Sequence, residues 1–343
     1  MRKLLNTLFI TSPDIYLALD GECICVKRGD GVISKLPIHN FESVVTFGYT
    51  GMSPALMNAC CERGVSVSFL SQSGKFLSRV IGKVNGNVLL RKEQYRISDD
   101  PIRSIGIARN FILGKVYNSM AVIKRAVRDY PLRLDIDNLN SKSDILSDYL
   151  NKIADVDLHD TLRGFEGSCA GTYFSCFDQL ILNQKKDFYF KGRNRRPPLD
   201  NVNALLSFAY TLLMGICVSA LESAGLDPYV GFFHTDRPGR ASLALDLMEE
   251  FRSVLADRFV ISMINRQVVK PKGFLKKESG AVIMDDETRK IILSSWHKRI
   301  QEEIVHPYLK EKIPWGLIPY AQALLLARYL RGDLDEYPPF FYK

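Results

Sequence analysis

Apolar residues recur every three or four positions between Ile102 and Arg128, at Ile105, Ala108, Ile112, Val116, Met120, Ile123 and Val127. Side chains at that spacing share one helix face, so the stretch predicts a long amphipathic helix. The same patterning predicts helices over about 141–156, 161–184, 200–223, 241–258, 286–304 and 317–331. Before residue 95 the texture differs. Leu5–Thr11, Asp14–Asp20, Cys23–Arg28, Ser43–Phe47, Val65–Leu70, Lys75–Gly82 and Val88–Leu90 are short runs of β-formers, broken by Pro13, Gly21, Gly29-Asp-Gly31 and Asn85-Gly86. One helix interrupts them, with Ser53 as N-cap, Pro54 as first helical residue and Gly64 closing it. Phe274–Ile283, with Gly273 and Gly280, reads as a hairpin among the later helices. The expected fold is therefore α+β: an N-terminal β-sandwich-like domain over 1–97, then a larger all-α domain over 98–343. Tyr337-Pro-Pro-Phe-Phe-Tyr-Lys343 reads as a disordered tail.

Length and composition narrow the picture. The chain has 343 residues, enough for two domains of ordinary size. With 46 Lys and Arg against 38 Asp and Glu it carries a net charge of +8, a mild argument for a polyanionic partner. The cysteines number seven and show no zinc-site spacing, which points to reduced thiols in a cytoplasmic protein. The N-terminus lacks a long apolar signal core. Asn203–Leu221 nearly has membrane length, but Asn203, Ser207, Tyr210, Thr211, Gly215 and Ser219 interrupt it, so a buried core helix is expected and no membrane partner.

The candidate chemistry starts at Gly231-Phe-Phe-His-Thr-Asp-Arg-Pro-Gly-Arg240, a loop that presents His234 just before a predicted helix. On that helix Asp246 precedes Glu249 and Glu250 by three and four residues, so all three carboxylates can line one surface beside His234. An imidazole among carboxylates can hold a hard divalent cation and support phosphodiester chemistry. The alternative is the wet face of an amphipathic helix whose dry face is Leu243, Leu247, Phe251 and Val254. Glu166, between Gly164, Gly167 and Gly171, is a candidate third ligand, because glycines let another segment approach; alone it also fits a solvated helix residue. Asp155, Asp157, His159 and Asp160 form a denser cluster, but alternate spacing scatters their side chains, and Asp160 fits better as an N-cap with Arg163 in the following turn. No phosphate-binding Gly-x-x-x-x-Gly-Lys-Ser/Thr loop is present. The run Lys185–Arg196 sets six cations, among them Lys191, Arg193, Arg195 and Arg196, against one acid and interleaves three aromatics. That suits a nucleic-acid backbone, or a solvated connector. Arg237 and Arg240 flank the His234 loop, and Lys270, Lys272, Lys276 and Lys277 form a further basic patch.

At these residues the sequence resembles the universal CRISPR-associated integrase, the nuclease of spacer acquisition. Leu5–Gly21 is similar to that family's first hairpin, Arg163-Gly-Phe-Glu-Gly167 to its glutamate motif and Arg196–Tyr210 to a characteristic helix start. The His234 loop and Asp246–Arg252 follow in the family's order, and the opening looks most like members from type I-C systems. The resemblance implies Mg2+ or Mn2+ held by Glu166, His234 and Glu249, with Asp246 as an accompanying carboxylate; some relatives carry Asp where Glu249 stands. It implies a DNA endonuclease and integrase, in which a fragment's 3′-hydroxyl attacks a repeat phosphodiester or water takes its place. It also implies double-stranded DNA as partner, a homodimer formed through the N-terminal domain, a small second adaptation subunit and an assisting iron–sulfur exonuclease. A transposase-like integrase outside a CRISPR locus and a catalytically idle DNA-binding subunit are the alternatives.

Overall fold

A computed structural model describes residues 7–12, 14–48, 50–71, 76–82 and 88–343. Leu5, Asn6, Pro13, Lys75 and the turn expected at Asn85-Gly86 lie outside the described residues. By contacts the chain divides into two compact units, one comprising 1–85 and 284–301, the other 86–283 and 302–343.

In the first unit, β1 (Thr7–Ile10), β5 (Ser43–Phe47), β7 (Ser66–Leu70) and β8 (Phe76–Val80) form one four-stranded sheet in the order β1-β5-β7-β8. The first three run parallel and β8 antiparallel. A second sheet has the order β4-β3-β2-β6, from β2 (Ile15–Asp20), β3 (Cys23–Arg28), β4 (Gly31–Pro37) and β6 (Gly51–Met52). The edge strand β4 was not expected; Gly31-Val-Ile-Ser-Lys-Leu-Pro37 has exposed apolar residues and no alternation to reveal it. Ile10, Leu17, Ile24, Val44 and Val67 from both sheets share one core with Leu56 and Cys60 of α1 (Pro54–Glu62). As expected, Ser53 caps α1, accepting the Leu56 N–H at 3.2 Å.

The second unit is helical. It contains α2 (Val88–Ser98), α3 (Pro101–Asp129), α4 (Ile136–Ala154), α5 (His159–Cys176), α6 (Asn201–Ser223), α7 (Ser242–Glu249) and α8 (Arg258–Asn265). The strand expected at Val88–Leu90 is the first turn of α2, because Leu90, Gln94 and Ile97 bury one helical face and three β-formers cannot outweigh that. Helix α5 ends eight residues short of the expected 184, giving way to a 3-10 turn at Phe177–Leu180. Leu158, not Asp160, is its N-cap; Asp160 lies in the first turn and pairs with Arg163 at 2.7 Å. The helix expected over 241–258 is broken into α7, a π-helical stretch at Arg252–Asp257, and α8. Helix α6 is long and apolar enough to cross a membrane by length and composition, yet its apolar residues are mostly buried, packed against α7, α8 and α10 (Ile318–Leu330). The hairpin near 274–283 is present as β9 (Phe274–Lys276) and β10 (Val282–Met284). Helix α9 (Asp286–Gln301) belongs to the first unit, and β11 (Glu303–Val305) pairs with β12 (Lys312–Pro314) in the second.

The C-terminal stretch is not a loose tail. Tyr337 and Phe340 are fully buried, and Asn118 of α3 clamps the segment by donating to the Phe340 carbonyl and accepting the Tyr342 N–H. Buried aromatics can anchor an irregular segment once its backbone finds partners inside. Behind it His306, also fully buried, accepts the Tyr308 and Leu309 N–H groups at Nδ1, which leaves the proton on Nε2, 3.1 Å from Gln322 Oε1. Burial pushes the His306 imidazole down to about 4, although Gln322 opposes this. The unfolded chain therefore takes up a proton near pH 6.5 that the native chain refuses, so this residue's contribution to stability is lost as pH falls from 6.5 towards 4. His306→Asn, which keeps an acceptor near Nδ1, should start less stable but lose less than wild type between pH 7 and 4.5. Urea unfolding at both pH values measures the difference, about 2 kcal/mol in wild type; equal losses in both proteins would exclude the effect.

Candidate active site

Helix α7 brings Asp246 beneath the 231–240 loop. Its carboxylate is fully buried and accepts three backbone N–H groups, from Phe232 at 2.7 Å and from Phe233 and His234 at 2.9 Å. The same carboxylate lies 2.6 Å from His234 Nδ1. A carboxylate there keeps the proton on Nδ1 and turns the Nε2 lone pair away from the helix. The loop is held from a second side by α2: the Gln94 amide donates to the Asp227 and Val230 carbonyls, and Ser98 donates to the Gly231 carbonyl at 2.6 Å. Gly231 has no room for a side chain, since a Cβ would lie 2.8 Å from Ser242 Cβ and 2.9 Å from Asp246 Oδ2.

One turn further along α7, Glu249 is almost fully buried. Its Oε2 lies 2.8 Å from Lys115 Nζ of α3, and its Oε1 3.2 Å from Arg252. Burial pushes the Glu249 carboxyl up, but Arg252, Lys115 and His234 more than offset this and hold it at about 2. Lys115 also pairs with Glu166 of α5. Glu166, Lys115 and Glu249 thus form a row of alternating charge, with His234 close enough to influence Glu249 electrostatically. Among the described residues no three His, Cys, Asp or Glu side chains form a ready ligand cluster; an ammonium stands between two of the expected ligands.

Glu250 departs from expectation. It does not share the surface of Asp246 and Glu249 but turns into the core, where it accepts from Tyr337 at 2.6 Å and from Gln322 and the Phe340 N–H at 3.0 Å. Glu250 keeps helical backbone at the C-cap of α7, and successive residues on an α-helix point about 100° apart, so it faces away from Glu249 and towards the core. Burial pushes its carboxyl up to about 8 despite those hydrogen bonds. The glycines around Glu166 serve no close approach either; a Cβ at Gly164, Gly167 or Gly171 would meet nothing within 4 Å.

The basic run is a folded loop. Arg193 is turned inward, bonding the Asn194 carbonyl at 2.6 Å, Asn203 at 2.7 Å and Ser207 at 3.1 Å. Its guanidinium and that of Arg252 lie on the Tyr210 ring, each 5.2 Å from the centroid, and Tyr210 donates to Asp257 at 2.6 Å. Burial pushes the Asp257 carboxyl up to about 6, against the hydrogen bond from Tyr210 and the charges of Arg252 and Arg193. Lys185 pairs with Asp178, while Lys191, Arg195 and Arg196 are exposed, as is Arg237; Arg240 is half-buried. Lys115 and Gln94 complete the site but belong to none of the sequence motifs above, whereas Arg252 and Tyr210 stand at the ends of Asp246–Arg252 and Arg196–Tyr210. Only Arg252 gave a local signal, three residues after Glu249 on the same turn.

Residues 8–298 match the family described as CRISPR associated protein Cas1. The chain belongs to that family. "CRISPR-associated endonuclease Cas1 2" of Rhodospirillum rubrum is 49% identical over 348 residues, and "CRISPR-associated endonuclease Cas1 1" of Chlorobaculum tepidum 45% over 343 residues, each alignment covering all of both chains. A Geobacter sulfurreducens relative named as an exonuclease Cas4/endonuclease Cas1 fusion is 33% identical over 97% of this chain and 60% of its own length. Among solved structures, a casposase bound to integration product superposes with a TM-score of 0.84 at 25% identity, covering 99% of this chain and 95% of the other. A Cas6-RT-Cas1--Cas2 complex shares the fold, with a TM-score of 0.82 at 22% identity over 100% of this chain and 37% of the other. The α+β architecture, a strand-rich N-terminal part and a helical remainder, is that of the family.

Proposed function

We propose that this chain is a metal-dependent DNA endonuclease and integrase that inserts short DNA fragments into a CRISPR array. The observation that carries the reading is the Asp246–His234 pair beside the charge row: the buried Asp246 carboxylate holds His234 by Nδ1, and Lys115 joins Glu166 to Glu249, on which His234 acts electrostatically. The donor set fits a hard or borderline dication: two carboxylates and one imidazole, with Glu249 Oε2 buried and lacking an aligned hydrogen bond. Glu166, His234 and Glu249 would hold Mg2+ or Mn2+, which when bound supplies charge stabilisation at the phosphoryl oxygens and acidifies the attacking hydroxyl. Asp246 is a positioning residue on this reading, since its oxygens already accept four donors. In strand transfer the fragment's 3′-oxygen forms a bond to a repeat phosphorus and the repeat's own 3′-oxygen leaves; water in place of the fragment gives hydrolysis. On this reading Arg237 and Arg240, in the His234 loop, and the exposed Lys191, Arg195 and Arg196 would contact the DNA phosphates.

The working assembly would be cytoplasmic: a homodimer through the N-terminal β domain, with a small second subunit and an iron–sulfur exonuclease assisting. Support for those partners comes from the Cas2-containing complex and the Cas4 fusion named above. The deciding experiment incubates the chain with a labelled short duplex, Mn2+, the second subunit and supercoiled plasmid carrying a repeat. Label should enter the plasmid at the repeat edges. Equal incorporation into a plasmid without a repeat would favour a transposase-like integrase, the second reading that the casposase likeness supports. No incorporation with duplex binding intact would leave only a DNA-binding subunit.

The basic loop gives a separate expectation. Changing Lys191, Arg195 and Arg196 together to Ala should weaken duplex binding for all sequences and flatten the log–log salt dependence by about two to three units, on the rule of about 0.9 per phosphate contact. An unchanged slope would make the run a connector. Arg193 is left out because its guanidinium is already spent on Asn203, Ser207 and Tyr210.

A further inference from the structure

Lys115 has no part in the chemistry described so far, yet it is the side chain that joins Glu166 to Glu249. It sits within α3, which packs against both α5 and α7. Its side chain is only 13% exposed, against 24% for Glu166 and 3% for Glu249. Burying an ammonium is costly unless it is paired, and here both partners are the carboxylates expected to bind a dication. Three carboxylates, Glu166, Asp246 and Glu249, face two cations, Lys115 and Arg252, which leaves one net negative charge when His234 is neutral. Arg252 is fixed from behind by Tyr210, but Lys115 hangs on a flexible four-carbon stem.

We propose that Lys115 is a tethered counter-cation that the divalent ion must displace from Glu166 and Glu249. This rests on the reading of Glu166, His234 and Glu249 as the metal's ligands. Without the ion, the ammonium keeps two carboxylates from repelling each other and holds α5 to α7 through α3. With the ion, the same carboxylates exchange one cation for another, so metal affinity is lower than the bare ligand set would give. The lysine thus sets how strongly the site holds its metal.

The test is Mn2+ binding to the full chain, without DNA, followed by the electron paramagnetic resonance signal of free Mn2+. Wild type, Lys115→Met, Lys115→Arg and His234→Ala are compared. Lys115→Met removes the charge and keeps the length, and it should bind Mn2+ at least about tenfold more tightly than wild type. Lys115→Arg keeps the charge and should not gain affinity. In the absence of metal Lys115→Met should melt below wild type, and saturating Mn2+ should raise its Tm by more. If the Met variant does not yield folded protein, Lys115→Gln must show the same gain in affinity. Equal or weaker Mn2+ binding by the uncharged variants, with binding lost in His234→Ala, overturns the role of Lys115 and leaves the ligand set standing. Unaltered Mn2+ binding in His234→Ala overturns the ligand set itself, and this inference with it.

Discussion

His234→Ala is expected to reduce strand transfer by at least about 10²–10³-fold while leaving duplex affinity and Tm close to wild type, because the electrostatic stabilisation it removes acts on the transition state. The ring is only partly buried, and its contact with the fold runs through Nδ1 to Asp246, whose carboxylate keeps three backbone N–H donors when the ring is removed. Affinity for duplex DNA comes from many phosphate contacts, and one imidazole contributes little to it. Asp246→Asn should behave differently. Four donors converge on the two Asp246 oxygens, so an amide nitrogen in place of either oxygen faces donors with a donor. The expected cost is about 3–5 kcal/mol of stability, the scale of a broken buried charge network, together with loss of activity. Urea denaturation beside the integration assay separates the two variants. Full activity in His234→Ala would exclude the proposed site; an unchanged unfolding midpoint in Asp246→Asn would mean that the loop does not depend on that carboxylate.

The second large effect is expected at the other end of the chain. Phe340 is fully buried, with ring centroids of Phe251, His306 and Trp315 within 5.6, 5.7 and 5.9 Å. Phe340→Ala should cost about 3–5 kcal/mol, the usual range for a truncated core aromatic. The loss should reach activity as well, since Phe251 and Glu250 adjoin Glu249 and both lean on this segment. A variant with wild-type stability would show that the C-terminal segment is dispensable to the core. A destabilised but fully active variant, assayed well below its Tm, would show that the segment supports the helical unit without positioning Glu249.

The contrast between these sites shows what a single sequence carries. Asp246 and Glu249 were legible because helical spacing and a neighbouring histidine loop place them locally. Their separate duties were not: the saturation of Asp246 depends on how the 232–234 backbone folds over it, and the charge on Glu249 depends on a lysine 134 residues earlier. Glu250 does not share the Glu249 surface because consecutive helical residues point about 100° apart, and which of the two faces the core depends on distant donors, Tyr337, Gln322 and the Phe340 N–H. The two-sheet core followed from alternation and turn residues, whereas β4, with exposed apolar residues on an edge, had no signature. The C-terminal aromatics were misread because burial of an irregular segment depends on distant acceptors such as Asn118.

The π-helical stretch after α7 has a consequence for how this part of the chain tolerates length changes. A π-turn holds more residues than an α-turn for the same advance, so such stretches are equivalent to a residue accommodated within a helix. Here Arg252 and Asp257, at its two ends, both meet Tyr210. Removing one residue from Ser253–Ala256 would let the helix relax to α-helical winding. That shorter helix is a better backbone by itself, but it would rotate Asp257 away from Tyr210 while Arg252 stayed with Glu249. Ser253–Asp257 are all buried, so the segment has no outer face on which to take up a change of length; a one-residue deletion would unlock the basic loop from the α7 carboxylates in a single step.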